Sequence, residues 1–120
     1  MNINNAKIRI TNLRLRTYIG FNPEELLKQQ DVVINTNIFY NAQAASQEDT
    51  ESLALNYKPI TKKMIAHVEQ GKFRLLEALA ADLLAIVFEH EQVIEADITV
   101  DKPHALRFAD SVSITLSASR

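Results

Sequence analysis

Lys102 is the side chain best placed by the sequence to act as a base. It follows a strand-like run, and Pro103, which lacks an amide hydrogen and disfavours a helix before it, should end the strand at that lysine. His104 and Arg107 come next, and their charges would oppose protonation of Lys102 if the loop folds back over it. A lysine held in this way can take a proton near neutrality, although a lysine before a proline is more often a solvated surface charge.

Three other side chains could share a site with this lysine. Glu77 falls at the edge of the apolar arc of a predicted helix, where its carboxylate needs either a ligand N–H pair or a salt bridge to Lys72, Arg74 or another chain. Glu25 lies in a glycine- and proline-containing loop, where most glutamates are solvated. Tyr57 precedes the first predicted helix, where a tyrosine more often packs its ring against the protein and leaves its hydroxyl in water than acts as an acid.

Several other chemistries lack the residues that they need. The chain has no cysteine, which excludes disulfides and thiolate nucleophiles, and its three histidines show no metal-binding spacing. No glycine-rich phosphate loop matches, and two glycines leave little material for one. A phosphate would therefore be held by side chains, although a basic side chain taken singly more often lies on a solvated face. The basic candidates are Arg14, Arg16, Lys62, Lys63, Lys72 and Arg107.

The composition is that of one globular domain spanning residues 1–120. The chain is 47% hydrophobic and 23% charged, with a formal net charge of -2, which gives no basic footprint for nucleic acid. No apolar run approaches the length of a membrane span, and the N-terminal stretch lacks a signal-peptide core. We therefore expect a cytoplasmic protein with neither a nucleic-acid nor a membrane partner.

The elements that would position these side chains follow in the order ββααββ. Apolar residues alternate over 7–16 with a slip at Thr11-Asn12, which predicts one long strand with a bulge. Residues 31–40 are rich in β-branched and aromatic side chains and should pair antiparallel with the first strand. Two more strands are predicted over 93–100 and 111–117.

Two helices are predicted between these pairs of strands. The first begins near Pro59 and ends at Gly71, and the second runs from about Phe73 to His90. The second helix is apolar over more than a single stripe, so it should be covered on two sides. Because one sheet covers only one side, the other helix or another subunit must cover the remainder.

Short stretches along nearly the whole chain resemble the dihydroneopterin aldolase family. They are Thr-Tyr-Ile-Gly at 17–20 with Glu25 and Gln30, Leu-Asn-Tyr at 55–57, residues 67–73, Leu-Leu-Glu at 75–77 and Asp-Lys-Pro at 101–103. Residues 13–17 and 101–113 are most similar to the branch of the family that epimerises dihydroneopterin triphosphate. The chain departs from the aldolases at 21–24, where they usually carry an aromatic-acidic turn, and at His104 and Arg107, where they carry small residues.

The resemblance implies the α+β tunnelling fold, in which a four-stranded antiparallel sheet carries two helices on one face. Four subunits would close their sheets into a barrel, and two rings would stack into a homo-octamer. A pterin would bind at subunit boundaries, with Glu77 and backbone amides near Leu76 on its polar edge and Tyr57 reaching in from the adjacent subunit. Lys102 and Glu25 would flank the substrate's side chain, with Lys102 acting through water as the base.

The implied reaction is epimerisation at the 2′ carbon of the side chain by retro-aldol cleavage and re-addition, with weak aldolase activity and no cofactor. His104 and Arg107 are the basic residues expected nearest to the triphosphate. One alternative is an aldolase of folate biosynthesis that releases glycolaldehyde and hydroxymethyl-dihydropterin, and another is a non-catalytic ring that binds pterin or purine. The metal-dependent cyclohydrolase and pterin synthase branches of the same fold are opposed by the scattered histidines.

Overall fold

A curled antiparallel sheet is the body of the computed structural model, which describes all 120 residues. In chain order the elements are β1 (Asn5–Ile19), β2 (Gln30–Asn41), α1 (Gln43–Glu48), α2 (Tyr57–Gln70), β3 (Lys72–Phe73), α3 (Leu76–Phe88), β4 (Val93–Lys102) and β5 (Val112–Ser119), with one 3-10 turn at Glu51–Leu53. The strand order is β3-β1-β2-β4-β5, and all neighbours are antiparallel except β1 and β3. The predicted four-stranded antiparallel sheet is confirmed as β1-β2-β4-β5.

The predicted bulge in the first strand is confirmed. The β1–β2 register shifts between Ile10 and Leu13, and Asn12 has a φ of 55°. Asparagine tolerates this left-handed conformation because its short side chain can hydrogen-bond locally. Here the side-chain Oδ1 of Asn12 accepts from Nδ2 of Asn35 at 3.2 Å, and the amide of Asn12 donates to Oδ1 of Asn35 at 2.8 Å. The bulge keeps the apolar side chains on either side of it on one face of the sheet.

The predicted helices need correction at their starts, and two short elements were missed. The first long helix begins at Tyr57 instead of Pro59, because the Asn56 side chain accepts a hydrogen bond from the amide of Lys58 and caps the helix. The second begins at Leu76, because Phe73 belongs to β3. The prediction contained neither β3 nor α1. None of the helices is long and apolar enough to cross a membrane.

The hydrophobic core lies between one face of the sheet and the two long helices. α2 packs against β1, and α3 packs against β4, β5 and α2. The wide apolar arc of α3 is thus covered within one chain by the sheet and by the other helix, which was one of the two expected coverings. Fully buried side chains of the two helices include Ile60, Met64, Val68, Leu79, Leu83 and Val87.

The opposite face of the sheet is polar and carries rows of hydrogen-bonded side chains. Arg9 Nε donates to Oδ1 of Asn37 at 3.0 Å, and Asn37 Nδ2 donates to Oδ1 of Asp97 at 2.9 Å. The hydroxyls of Thr99 and Thr115 lie 2.7 Å apart on the last two strands. The sheet therefore has an apolar face that the helices cover and a polar face that no other part of this chain covers.

Candidate active site

The candidate site is organised around an ion pair at the end of β4. Lys102 is the last residue of that strand, immediately before Pro103, where the sequence predicted the strand to end. Its Nζ donates to Oε2 of Glu25 at 2.6 Å. The two side chains are only 13% and 18% exposed, so solvent screens this pair less than the exposed pairs elsewhere on the chain.

The carboxylate of Glu25 is held by two further donors. Gln30 Nε2 donates to Oε2 of Glu25 at 3.1 Å and to the Ile19 carbonyl at 2.7 Å, which ties the loop to the ends of β1 and β2. The amide of Asn22 donates to Oε1 of Glu25 at 3.3 Å. The hydrogen bond from Lys102, supported by those from Gln30 and Asn22, outweighs burial and lowers the pKa of Glu25 below its usual 4.5. Glu25 is therefore a carboxylate at neutral pH.

Gly20 makes room for this carboxylate. Its φ of +125° lies in a region that favours glycine, and a Cβ at this position would overlap the carboxylate of Glu25. The amide of Gly20 donates to the carbonyl of Phe73 at 2.8 Å, so the turn is also fixed to β3. The glycine thus allows the backbone and the acidic side chain to approach each other closely.

The charge that faces Lys102 differs from the one that the sequence suggested. The loop residues His104 and Arg107 were expected to fold over the lysine and oppose its protonation. Both are exposed, and neither forms an ion pair with an acid of the site; the carboxylate of Glu25 is the charged group in contact with the lysine. The electrostatic argument from His104 and Arg107 is therefore wrong for this chain.

A cavity of about 280 Å³ connects the ion pair with the start of α3. Glu77 lies in the first turn of that helix and lines the cavity together with Leu76, and within this chain it has no ion-pair partner. The salt bridge that the sequence allowed to Lys72 or Arg74 is absent. Four residues predicted for one site, Lys102, Glu25, Glu77 and Leu76, thus surround one cavity.

The walls of this cavity are partly apolar and partly open. Phe21 is 55% exposed and Leu75 is 47% exposed, and both line the cavity with Ile19. The volume is below the range of about 300–1,000 Å³ usual for ligand pockets. Apolar walls beside a free carboxylate suit a flat heterocycle with N–H groups on one edge, and the open side leaves room for a further wall.

Tyr57 does not reach this cavity within one chain. It is 49% exposed and lines a separate cavity of about 560 Å³ that includes Ile10 of β1. Ile10 pairs with Thr36 on β2, whereas the last residues of β4 lie beside Val33. Val33 and Thr36 are three residues apart on β2, which corresponds to about 10 Å along the strand. Tyr57 and Lys102 thus line separate cavities of the chain.

Two of the basic candidates are already paired with acids. Lys63 Nζ lies 2.6 Å from Oε1 of Glu89, and Arg16 Nη1 lies 2.8 Å from Oδ1 of Asp31. Arg16 also donates to the carbonyl of Gln29 at 2.9 Å. Neither side chain lines the cavity beside Lys102.

Two other candidates lie over aromatic rings. The Nζ of Lys72 lies 5.2 Å from the ring centre of Tyr18, and the guanidinium carbon of Arg107 lies 5.4 Å from that of Phe108. Phe108 is 94% exposed, so Arg107 and Phe108 extend together from the loop after β4. The structure therefore places Arg107 away from the cavity beside Lys102.

The remaining candidates are Lys62, Arg14 and His104, and each lines a different cavity. Lys62 lies in the cavity of Tyr57, and Arg14 lines one with Arg16. His104 lines a cavity that adjoins the site, and its Nε2 lies 3.8 Å from Oδ2 of Asp31. Among the phosphate candidates, His104 is thus the one that shares a cavity with Glu25 of the ion pair.

Sequence reasoning missed two cations at the site. Arg74 lines the cavity near Glu77, and Lys28 lines the adjoining cavity with His104. Arg74 was considered only as a partner of Glu77, and Lys28 lies in a polar segment with no periodic signal. No group of three or more His, Cys, Asp or Glu side chains lies close enough together to hold a metal ion.

The chain is similar to known proteins over nearly its whole length. The sequence model of the family described as dihydroneopterin aldolase matches residues 8–117. The chain belongs to the dihydroneopterin aldolase family. It is 51% identical to the dihydroneopterin triphosphate 2′-epimerase of Pseudomonas aeruginosa and 52% identical to that of Escherichia coli K12. Each alignment covers 96% of this chain, and it covers 94% and 96% of the respective relative.

A solved structure from the dihydroneopterin aldolase family shows the same fold. The crystal structure of E. coli dihydroneopterin aldolase in complex with neopterin matches with a TM-score of 0.88 and 23% identity. The match covers 95% of this chain and 99% of that chain. The tunnelling fold expected from the sequence is therefore confirmed, with β3 and α1 as additions to the expected plan.

Proposed function

We propose that this protein is a dihydroneopterin triphosphate 2′-epimerase with weak aldolase activity. The observation that carries the proposal is the arrangement of the Lys102–Glu25 ion pair and the unpaired Glu77 around one cavity. Relatives that carry the epimerase name are 51–52% identical over nearly the full chain. A cytoplasmic location is part of the same proposal and fits a chain without cysteine.

Glu77 binds the pterin ring in this proposal. Its carboxylate accepts hydrogen bonds from the ring amide N–H and from the amino group, which together form a planar pair of donors. Backbone amides near Leu76 assist on the same edge of the ring. The apolar side chains of Phe21 and Leu75 cover part of the ring's face. This orientation directs the substrate's side chain towards Lys102 and Glu25.

The reaction starts at the second hydroxyl of that side chain. Lys102, once its ammonium has given a proton to solvent, takes the hydroxyl proton through a water molecule as the neutral amine, and Glu25 stabilises the ammonium that results. The oxygen's electrons form a carbonyl, and the bond between the first and second side-chain carbons breaks. The electrons of that bond enter the C=N bond of the dihydropterin ring and produce an enamine beside a bound aldehyde. The ring is the electron acceptor, so the scheme uses no cofactor.

The fate of the enamine decides between epimerisation and cleavage. If the aldehyde rotates before the enamine adds to its other face, the second carbon is inverted and the ammonium of Lys102 returns its proton to the new hydroxyl. If Tyr57 of an adjacent subunit protonates the enamine first, the aldehyde leaves. The aldolase that releases glycolaldehyde is therefore the second candidate function, favoured by the name of the family.

A ring of subunits completes the site in this proposal. The outer edge of β5 is open, and β3 covers only Tyr18 and Ile19 on the outer edge of β1, so two strand edges can pair with other copies. The radius of gyration is 16.1 Å, whereas a compact domain of this length has about 14 Å. An extended chain with two open edges supports tetramer rings stacked into an octamer, which light scattering in solution would test.

Product analysis tests the function. The protein is incubated with dihydroneopterin triphosphate and, separately, with dihydroneopterin, and after oxidation and dephosphorylation the neopterin, monapterin and hydroxymethylpterin are separated. We expect monapterin as the main product from the triphosphate and a slower release of hydroxymethylpterin from dihydroneopterin. Hydroxymethylpterin as the main product from both substrates would indicate the aldolase, and no product from either would indicate a non-catalytic ring.

A further inference from the structure

Two cavities meet at Glu25, the acidic member of the ion pair with Lys102. The first reaches from the pair to Glu77, and the second, of about 360 Å³, lies beyond Glu25. They share Asn22, Glu25 and Ala105 as lining residues. The side chain of Glu25 thus lies between the cavity assigned to the pterin, which Lys102 also lines, and a second cavity that has no role in the proposed reaction.

The order of the chemical groups along the substrate indicates which of them reaches the second cavity. In the proposed function, on which this inference rests, Glu77 binds the ring and Lys102 acts at the second side-chain carbon. The phosphates are attached beyond that carbon, on the side away from the ring. A substrate bound at both points therefore extends its phosphates past Glu25 into the second cavity.

The second cavity is lined by two groups that can bind phosphate. Lys28 is exposed and has no ion-pair partner in the chain, so its ammonium remains available for an anion. The His104 ring also lines the cavity, with only the 3.8 Å contact to Asp31. Glu24 is the opposing charge, because it lines the same cavity without an ion pair. The other carboxylate, Glu25, is neutralised by Lys102.

We infer that Lys28 and His104 form the phosphate-binding part of the site, and that the charge of Glu24 weakens the binding of phosphate there. Lys28 donates from its ammonium to phosphate oxygens, and His104 donates from its ring. Neither residue contacts the pterin ring or the reacting carbons. They therefore distinguish phosphorylated from unphosphorylated substrates and take no part in proton transfer.

Binding of two unreactive probes tests this inference. Dissociation constants for neopterin triphosphate and for neopterin are measured by pterin fluorescence in wild type and in Lys28→Gln, His104→Gln and Glu24→Gln. We expect Lys28→Gln to raise the dissociation constant of neopterin triphosphate about tenfold, which is the effect of losing one charge-assisted hydrogen bond. The dissociation constant of neopterin should stay unchanged. His104→Gln should change the constants in the same direction. Glu24→Gln should lower the dissociation constant of neopterin triphosphate and leave that of neopterin unchanged.

Neopterin serves as the internal control for folding of each variant. Lys7→Gln removes another exposed lysine, which lies over Phe39 on the polar face of the sheet, and should change neither constant. The inference is overturned if Lys28→Gln affects both ligands equally or neither of them. If wild type binds the triphosphate through Lys28 but yields no monapterin, the proposed function fails while the phosphate site stands.

Discussion

The amino nitrogen of Lys102 lies 2.6 Å from Oε2 of Glu25, although the two residues are 77 positions apart in the chain. The contact joins the end of β4 to the loop between β1 and β2. It places a potential base beside the carboxylate that stabilises its charged form, and that carboxylate lines both cavities.

Replacing Lys102 with alanine should abolish turnover and preserve pterin binding. Loss of a positioned base lowers rates by about 10²- to 10⁴-fold, whereas Glu77 and the apolar walls remain in place. Rates are measured with dihydroneopterin triphosphate, and affinity with neopterin. Lys7→Ala, at an exposed lysine far from the site, is the matched control. A Lys102→Ala protein with wild-type turnover would eliminate the lysine as the base.

Glu25→Gln should reduce stability in a manner that depends on pH. The folded-state pKa of Glu25 is depressed, so its contribution is fully present above about pH 4.5, its usual value, and is lost as the pH falls through the lower folded value. Near neutrality the variant should lose about 1–3 kcal/mol of unfolding free energy, and below pH 4.5 the difference from wild type should shrink. Urea denaturation over this pH range measures both effects.

The neighbouring acid provides the control for that experiment. Glu24 has no ion-pair partner in the chain, so Glu24→Gln should leave the unfolding free energy unchanged at every pH. A constant difference between Glu25→Gln and wild type across the acid range would show that the ion pair does not account for the lost stability.

Gly20→Ala should damage activity more than stability alone explains. A non-glycine residue at φ +125° is strained by about 1–3 kcal/mol, and the new Cβ displaces the carboxylate of Glu25. Asn12→Ala is the comparison, since Asn12 has a φ of 55° in the β1 bulge and does not line the site. Both variants should unfold at lower temperature, but only Gly20→Ala should lose turnover. Equal activity in the two would refute the role of this close approach.

Mixed subunits test whether Tyr57 acts across an interface. Tyr57→Phe should retain epimerisation and lose the hydroxymethylpterin product, and Lys102→Ala should lose both products. When the two variants are unfolded together and reassembled, some sites combine an intact Lys102 with an intact Tyr57 from another chain. Hydroxymethylpterin should then reappear. A mixture that yields only the sum of the separately refolded variants would argue against a shared site.

Local sequence signals located some features of the site and fold correctly. Pro103 predicted the end of β4 at Lys102, and the broken alternation at Thr11-Asn12 predicted the bulge. β3 was missed because two residues carry no periodicity, and its strand character comes from pairing with Tyr18 and Ile19. Such pairing is set by tertiary structure, which a local pattern does not contain.

The composition of the site depended on contacts between distant residues. The family resemblance brought Lys102, Glu25 and Glu77 together, whereas periodicity alone left each of them with a structural alternative. His104 and Arg107 were expected near the phosphates; His104 lines the cavity beside Glu25, whereas the guanidinium of Arg107 lies over the ring of Phe108. Lys28 was overlooked because nothing in its own segment reveals the cavity that it lines with His104.

Isotope incorporation tests the central claim, that the second side-chain carbon is inverted by cleavage and re-formation of a carbon-carbon bond. Dihydroneopterin triphosphate is epimerised in D₂O, and the product is examined by mass spectrometry and NMR. Because the hydrogen on the second side-chain carbon never leaves that carbon in this scheme, the monapterin product should carry no deuterium there. Deuterium at the inverted carbon would show that it was deprotonated directly, and would contradict the retro-aldol account.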